Sequence, residues 1–208
     1  MLRVGLTGGI GCGKTTVAGM MRALGCHILE ADKMAHHLIE PGKRAYDSVV
    51  REFGHDILLP DGRINRSRLA AIVFSDPARL KELNAIVHPP LLAEIDSEIS
   101  RLESVDRGGI AVIDAALLIE FNHYKRLDCV IVVWCTPEQQ LARLTAQASG
   151  RGMPRAQAES RIAAQLDLAA KRRLADEEID CSGTMEGTQR QVEAMVAELK
   201  RRAASQVR

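Results

Sequence analysis

The sequence has 208 residues, of which 46% are hydrophobic and 26% are charged, and its formal net charge is +1 at pH 7. This composition is ordinary for a globular protein, and it excludes a largely disordered chain. The near-zero net charge gives no electrostatic footprint for nucleic acid or an anionic membrane surface, although a local basic pocket could still bind a small anion.

Cysteine usage and the apolar stretches indicate the compartment. The five cysteines are odd in number and include no C-x-x-C pair, which argues against a disulfide framework and a zinc ribbon. The first residues show no signal-peptide pattern. The most apolar stretch, residues 110–119, is about half as long as a membrane span. We therefore expect a cytoplasmic protein, monomeric or weakly homo-oligomeric, with neither a nucleic-acid nor a membrane partner.

The first elements in chain order are a strand, a glycine-rich loop and a helix. The apolar run "LRVGLT" ends at glycines, and the segment after Lys14 then places apolar residues at helical spacing until Gly25. A second short strand in "CHILEAD" brings Asp32 to its carboxyl end. This succession is typical of the first half of an α/β protein.

A helical insertion and two further strands follow. Residues 33–107 show helical patterns with breakers at "EPGK", "LPDGR" and "VHPP", and no convincing strand. The runs "GGIAVID" and "LDCVIVVWC" are rich in Ile and Val with almost no alternation, which is typical of parallel strands covered on both faces. We therefore expect a three-layer α/β fold with a parallel central sheet.

The last third of the chain is mostly helical. Thr136 as N-cap and Pro137 at the first position begin one helix. After a Gly-Arg-Gly joint that we expect to be mobile, "PRAQAESRIAAQLDLAAKRRLA" predicts a second helix. A final strand in "EEIDCSG" and a closing helix complete the chain.

The glycine-rich loop is a specific motif. Gly8, Gly13, Lys14 and Thr15 match G-x-x-x-x-G-K-[ST], and the match lies between a strand and a helix, as this P-loop pattern requires. Glycines let main-chain N–H groups surround phosphate oxygens. The lysine ammonium group contacts the β- and γ-phosphates, and the hydroxyl coordinates Mg²⁺. The motif predicts a P-loop NTP hydrolase-type fold. Its nucleotide-binding residues are Gly11, Cys12, Gly13, Lys14, Thr15 and Thr16.

Three classes of P-loop protein must then be separated. A regulatory GTPase should carry an N-K-x-D guanine motif, and the sequence has none. A water-activating ATPase usually has glutamate directly after the strand-end aspartate, whereas here Ala115 follows Asp114. A small-molecule kinase is therefore favoured. In such an enzyme Asp114 acts on the magnesium ion or its water shell, and the alternative is a buried cap without chemistry.

Asp32 and a group of arginines are the candidates for phosphoryl transfer. Asp32 could accept the proton of an attacking hydroxyl or simply cap the following helix, and the pattern alone supports both equally. The arginines straddle the expected joint, where guanidinium groups either close on a transferring phosphoryl group or form a solvated basic face. They are Arg143, Arg151, Arg155 and Arg161.

Six segments in one order carry a resemblance to a known family. Besides "VGLTGGIGCGKTT", they are "EADKMAHHLIEPG", "DGRINRSRLAAIVF", "LNAIVHPPL", "VIDAALLIE" and "ESRIAAQLDLAAKRRLADEEIDCSG". With them the sequence resembles dephospho-coenzyme A kinase from end to end. The resemblance implies transfer of the γ-phosphate of ATP, with Mg²⁺, to the ribose 3′-hydroxyl of dephospho-coenzyme A, the last step of coenzyme A synthesis. The alternative is another P-loop small-molecule kinase or a nucleoside monophosphate kinase.

The resemblance also implies a division of the chain. A P-loop core binds ATP, a helical insertion holds the acceptor, and a mobile helical lid closes over the site. The core comprises residues 1–32, 108–142 and 175–208, the insertion residues 33–107, and the lid residues 143–174.

Residue roles follow from the same resemblance, position by position. Asp32 falls on the general base or hydroxyl-orienting group, and Arg143 on the first lid arginine. Arg66 and His88 fall on positions that face the acceptor and its phosphates. Three positions depart from the family pattern, with proline, arginine and asparagine replaced by Ala116, Gln147 and Cys181. None of these departures changes Lys14, Thr15 or Asp32.

Overall fold

The structure is a computed structural model that describes residues 1–120, 122–146 and 152–206. The chain divides into two compact units. The core unit consists of Met1–Leu29 and Arg101–Arg208, and the insertion unit of Glu30–Ser100. Among the described residues, no helix is both long enough and apolar enough to cross a membrane.

A five-stranded sheet forms the centre of the core unit. Its strands are β1 (Leu2–Gly8), β2 (His27–Glu30), β3 (Ile110–Asp114), β4 (Cys129–Trp134) and β5 (Glu177–Asp180). The spatial order is β2-β3-β1-β4-β5, and β1 pairs in parallel with both β3 and β4. The Ile- and Val-rich strands β3 and β4 are almost entirely buried, as expected for strands covered on both faces. The predicted α/β fold with a parallel central sheet is confirmed.

The sheet order decides which strand end accompanies the P-loop. Although β2 follows β1 in the sequence, β3 separates the two strands in the sheet. In the register of β1 and β3, Leu6 pairs with Asp114. The carboxyl end of β3 therefore lies beside the residues that lead into the glycine-rich loop.

The helices pack around this sheet and within the insertion unit. In chain order they are α1 (Lys14–Ala23), α2 (Ala31–Leu38), α3 (Tyr46–Phe53), α4 (Arg66–Ser75), α5 (Pro77–Val105), α6 (Pro137–Thr145), α7 (Arg155–Ala163), α8 (Leu168–Arg172) and α9 (Met185–Gln206). Apolar residues of α1 and α9, such as Val17, Met21 and Leu199, pack with β1 in one buried cluster. Each such side chain contributes about 1.5–3 kcal/mol of burial free energy.

Of the two helices predicted after β4, the structure confirms the start of the first and divides the second in two. At α6, the N-cap Thr136 forms a complete capping box with Gln139, and Pro137 is the first helical residue, which confirms the predicted helix start. The predicted second helix is instead interrupted between α7 and α8. Asp167 caps α8 by accepting a hydrogen bond from Ala170 N at 3.1 Å, and this local bond competes with continuation of α7.

A long helix of the insertion unit contradicts one prediction. The sequence "VHPP" was expected to break a helix, yet Pro89 and Pro90 lie inside the 29-residue helix α5. A proline in a helix interior costs about 3 kcal/mol because an N–H donor is lost. Val87 and Leu91, on either side of the two prolines, are buried, so this part of the helix packs in the interior of its unit. The unit also has an isolated antiparallel bridge between Leu58 and Ile64 where no strand was expected.

Candidate active site

The glycine-rich loop connects β1 to α1 and has a backbone that requires glycine. Gly11 and Gly13 have φ values of 81° and 102°, in the left-handed region that side chains rarely tolerate. A Cβ atom on Gly11 would also lie 3.2 Å from the carbonyl oxygen of Gln140. The loop therefore cannot keep this shape with larger residues at these two positions.

Every carbonyl oxygen from Gly9 to Gly13 has a hydrogen-bonding partner in the core unit. Gly9 accepts from Cys12 N at 3.1 Å, and Gly13 accepts from Val17 N at 3.1 Å. Ile10 accepts from Gln140 Nε2 at 2.8 Å. The carbonyls of Gly11 and Cys12 lie 3.5 and 3.4 Å from Nη1 of Arg143. The acceptor groups of the loop are thus engaged by the protein itself.

The main-chain donors of the loop show the opposite pattern. Ile10 N donates to Gln165 Oε1 at 2.8 Å and Cys12 N donates to Gly9. Six N–H groups from Gly9 to Thr16 have no hydrogen-bonding partner among the described residues, namely those of Gly9, Gly11, Gly13, Lys14, Thr15 and Thr16. The last three belong to the first turn of α1, which contains no acidic residue. These donors and the helix dipole make the loop a cradle for an anion.

Lys14 and Asp114 form an ion pair beside the loop. The ammonium group of Lys14 donates to Asp114 Oδ1, and the two side chains are 16% and 10% exposed. The pair follows from the sheet register, because Asp114 is the last residue of β3 and Lys14 the first of α1. The sequence predicted both residues for the site, and the structure brings them together.

The segment that follows β3 is anchored by a buried lysine that the sequence analysis did not single out. Lys171, on α8, is fully buried, and its ammonium group lies 2.8 Å from Glu120 Oε1. It also donates to the carbonyl oxygen of Ala116 at 2.9 Å, which accepts from Thr7 Oγ1 as well. The available signal was "VIDAALLIE" together with the late motif, since these two segments contain Glu120 and Lys171.

Arg143 binds main-chain oxygens at this site. Besides the two loop carbonyls, its guanidinium group donates through Nη2 to the carbonyl oxygen of Cys181 at 2.7 Å. The other arginines of the expected lid differ from it. Arg155 pairs with Glu159 on an exposed helix face, and Arg161 is also exposed. Arg151 and Gln147 lie outside the described residues.

Three buried cysteines adjoin the loop. The thiol of Cys135, at the end of β4, hydrogen-bonds Cys12 and lowers the pKa of the Cys12 thiol. The same bond and burial raise the pKa of Cys135. Burial also raises the pKa of Cys181, whose sulfur would lie 3.4 Å from a Cβ atom on Gly13. Cys181 thus packs against the loop as a small apolar group.

The insertion unit contains Asp32, Arg66 and His88. Asp32 is exposed in the first turn of α2, and the N-cap of that helix is Glu30. The interpretation of Asp32 as an N-cap is therefore wrong. Partial burial and the Arg66 guanidinium lower the pKa of His36, while the Asp32 carboxylate acts to raise it. Two predicted residues thus act on the charge of one histidine, and half-buried His88 lies on α5.

The oxygen atoms of the core unit suit a hard cation that is bound mainly by its ligand. Within the described residues, no group of three or more His, Cys, Asp or Glu side chains is arranged to hold a metal ion. The Asp114 carboxylate and the exposed Thr15 hydroxyl nevertheless flank Lys14. Mg²⁺ prefers such oxygen ligands and keeps several waters or phosphate oxygens of its own.

Comparisons with known proteins agree with this geometry. The family model described as dephospho-CoA kinase matches residues 2–187. Dephospho-CoA kinase from Symbiobacterium thermophilum is 44% identical over 92% of this chain and 78% of its own length. The enzyme from Thermobifida fusca is 43% identical over 99% of this chain and all of its own length.

Solved structures show the same fold. The crystal structure of TT1252 from Thermus thermophilus is 32% identical and superposes with a TM-score of 0.82, covering 95% of this chain and 97% of the other. Dephospho-CoA kinase from Campylobacter jejuni has a TM-score of 0.60 at 23% identity, over 95% and 96% of the two chains.

Proposed function

The chain belongs to the dephospho-CoA kinase family, and from this premise we propose how its residues divide the reaction between them. The reaction is transfer of the γ-phosphate of ATP to the ribose 3′-hydroxyl of dephospho-CoA, the last step of coenzyme A synthesis. The chain is accordingly an ATP-dependent phosphotransferase, and the resemblance seen in the sequence is confirmed.

The donor site is the glycine-rich loop of the core unit. The observation that carries this assignment is the polarity of the loop, because its carbonyls are engaged while the N–H groups of residues 9, 11 and 13–16 stay available. An array of fixed donors stabilises phosphate oxygens without reorganisation as charge moves between them. In the ATP complex Lys14 leaves Asp114 for the β- and γ-phosphates. The nucleotide-binding residues are those predicted, Gly11, Cys12, Gly13, Lys14, Thr15 and Thr16.

Mg²⁺ accompanies ATP at this site. Thr15 and Asp114 are the residues that would hold the ion, directly or through its water shell, and both offer oxygen atoms. When bound, the ion neutralises charge on the phosphates. The Asp114 carboxylate, which pairs with Lys14 in the ligand-free chain, would then act on the cation instead.

Asp32 acts as the general base or orients the attacking hydroxyl. Three observations support this role: the carboxylate is exposed, it does not cap α2, and it stands two residues after the last residue of β2. A carboxylate within hydrogen-bonding reach of the 3′-hydroxyl can accept its proton during the transfer. Accepting the proton converts the Asp32 carboxylate to a neutral carboxylic acid, so no positive charge builds up on the attacking oxygen.

The insertion holds the acceptor and the late helices form the lid. We assign residues 33–107 to dephospho-CoA, because Arg66 and His88 supply groups suited to its phosphates, and residues 143–174 to closure. The remaining ranges, 1–32, 108–142 and 175–208, form the ATP-binding core. We assign Arg143 to stabilisation of charge on the nucleotide, and its contacts to the loop carbonyls support this role.

The free thiols support the assignment to the cytoplasm. All five cysteines are free and buried, which suits a reducing cytoplasm. We assign a monomer or weak homo-oligomer that works on ATP and dephospho-CoA without a nucleic-acid or membrane partner. Size-exclusion chromatography with light scattering, across a tenfold range of concentration, would test the oligomeric state.

The reaction is tested by offering several acceptors to the purified chain with Mg-ATP. Dephospho-CoA is compared with a panel of nucleoside monophosphates and shikimate, and ADP release is followed. We expect ADP release with dephospho-CoA, loss of it with excess EDTA, and ³¹P spectra that show a 3′-phosphate. Turnover with a panel member alone would assign another P-loop kinase activity, and ADP release without acceptor would indicate an ATPase.

A further inference from the structure

We propose that Gln140 and Gln165 are positioning residues for ATP, which order the apex of the P-loop by engaging both main-chain polar groups of Ile10. These two residues are named the glutamine clamp. The proposal rests on the proposed role of the loop as the phosphate site, and it assigns a cause to the loop's conformation.

Gln140 holds the acceptor side of Ile10. It lies on α6, its side chain is buried, and its Nε2 donates to the carbonyl oxygen of Ile10 at 2.8 Å. A Cβ atom on Gly9 would lie 2.5 Å from the same Nε2, so the amide occupies the space that the missing side chain leaves. A buried amide in such close contact cannot exchange this partner for water without rearrangement.

Gln165 holds the donor side of Ile10. It lies between α7 and α8, and its Oε1 accepts from Ile10 N at 2.8 Å. The next residue, Leu166, donates its N–H to Glu120 Oε1 at 3.3 Å, and that carboxylate pairs with buried Lys171. The interruption between α7 and α8 is therefore anchored to both the P-loop and the segment after β3.

The two glutamines have opposite hydrogen-bonding roles, one as donor and the other as acceptor. Gln140 must present its NH₂ group, because its partner is a carbonyl, and Gln165 must present its oxygen, because its partner is an N–H. While both bonds hold, the Ile10 carbonyl cannot turn toward the phosphates, where its partial negative charge would be repelled. The clamp therefore preorganises the loop for its anion before binding.

The test compares kinetics with hydrogen exchange in variants of the whole enzyme. Gln165→Ala and Gln140→Met should each raise KM for ATP about tenfold, the effect of one lost, partly buried hydrogen bond, with less than about twofold change in KM for dephospho-CoA. In Gln165→Ala, the Ile10 amide should exchange at least about tenfold faster, by NMR, while amides of the central strands stay protected. Gln165→Glu should keep Ile10 protected because a carboxylate still accepts, whereas Gln140→Glu should not restore KM.

Gln189→Ala is the matched control, since Gln189 is exposed on α9 and bonds only Glu193 among the described residues. Kinetics and exchange in Gln165→Ala equal to those of Gln189→Ala would overturn the proposal, as would an equal rise in both KM values. Lys14→Ala separates this failure from failure of the donor-site assignment. If Lys14→Ala also binds and uses ATP normally, the loop is not the phosphate site.

Discussion

Lys14 and Asp114, separated by 100 positions in the sequence, form an ion pair that joins the start of α1 to the end of β3. Both side chains are largely buried, so the pair matters for stability as well as for catalysis. Removing one partner of a buried pair leaves the other charge uncompensated, whereas removing both does not.

The first prediction concerns this pair. Lys14→Ala should lower kcat at least about a hundredfold, because a charge that stabilises the transferring phosphoryl group is lost. It should also lower the Tm of the ligand-free enzyme, and Lys14→Ala combined with Asp114→Ala should recover part of that loss. Steady-state kinetics and calorimetry measure the two effects. Lys200→Ala is the control: it removes an exposed ammonium group that donates to the carbonyl oxygen of Leu24, and it should leave both near wild type. A double variant with lower Tm than Lys14→Ala would contradict the argument.

The second prediction concerns Arg143. Its planar guanidinium group reaches the carbonyls of Gly11, Cys12 and Cys181 together, a geometry that an ammonium group cannot reproduce. Arg143→Lys should therefore lower kcat/KM for ATP about tenfold or more, close to the effect of Arg143→Ala. Arg201→Lys, in an exposed helical ion pair, serves as the charge-matched control. Wild-type kinetics in Arg143→Lys would show that only its charge matters.

The site could be predicted from the sequence where the information is local. Gly13, Lys14 and Thr15 stand in a spaced motif between a strand and a helix, and Asp114 ends an apolar strand, so both halves of the ion pair were identified before the fold was known. Gln140 and Gln165 were not assigned to the site. Gln165 belongs to the late segment that carries the resemblance and Gln140 to no motif, and for both the partner is a main-chain atom, which has no sequence signal.

Two features of the helices could not be predicted from local sequence either. The helix continues through Pro89 and Pro90, with buried Val87 and Leu91 on either side of them, and local propensity does not report such burial. The break before α8 depends on the side chain of Asp167, one capping bond in a helical pattern. In both places tertiary contacts decide what local sequence leaves balanced.

The third prediction uses two buried thiols away from the P-loop. Burial raises the pKa of Cys26 and of Cys129 to about 11, from the ordinary value of 9.0. In the folded state these thiols bind their protons more tightly than in the unfolded state. The resulting contribution to stability is fully present below pH 9 and is lost as the pH rises toward 11. The free energy of unfolding, measured in urea, should fall across that window. Its slope should be shallower in Cys26→Ala combined with Cys129→Ala, and an equal slope would contradict the assignment.

The last prediction separates the chemistry of Asp32 from its electrostatics. Asp32→Asn keeps the shape of the side chain but removes the proton acceptor, so kcat should fall at least about a hundredfold. The same change removes the negative charge that acts to raise the pKa of His36, leaving burial and Arg66 to lower it. The His36 pKa, followed by NMR titration, should therefore drop below its wild-type value. Asp47→Asn, exposed at the start of α3, is the control and should change neither quantity. Near-normal turnover in Asp32→Asn together with a lowered His36 pKa would exclude Asp32 as the base. The lowered pKa would show that the charge of the carboxylate is absent, and the turnover would show that the reaction does not need it.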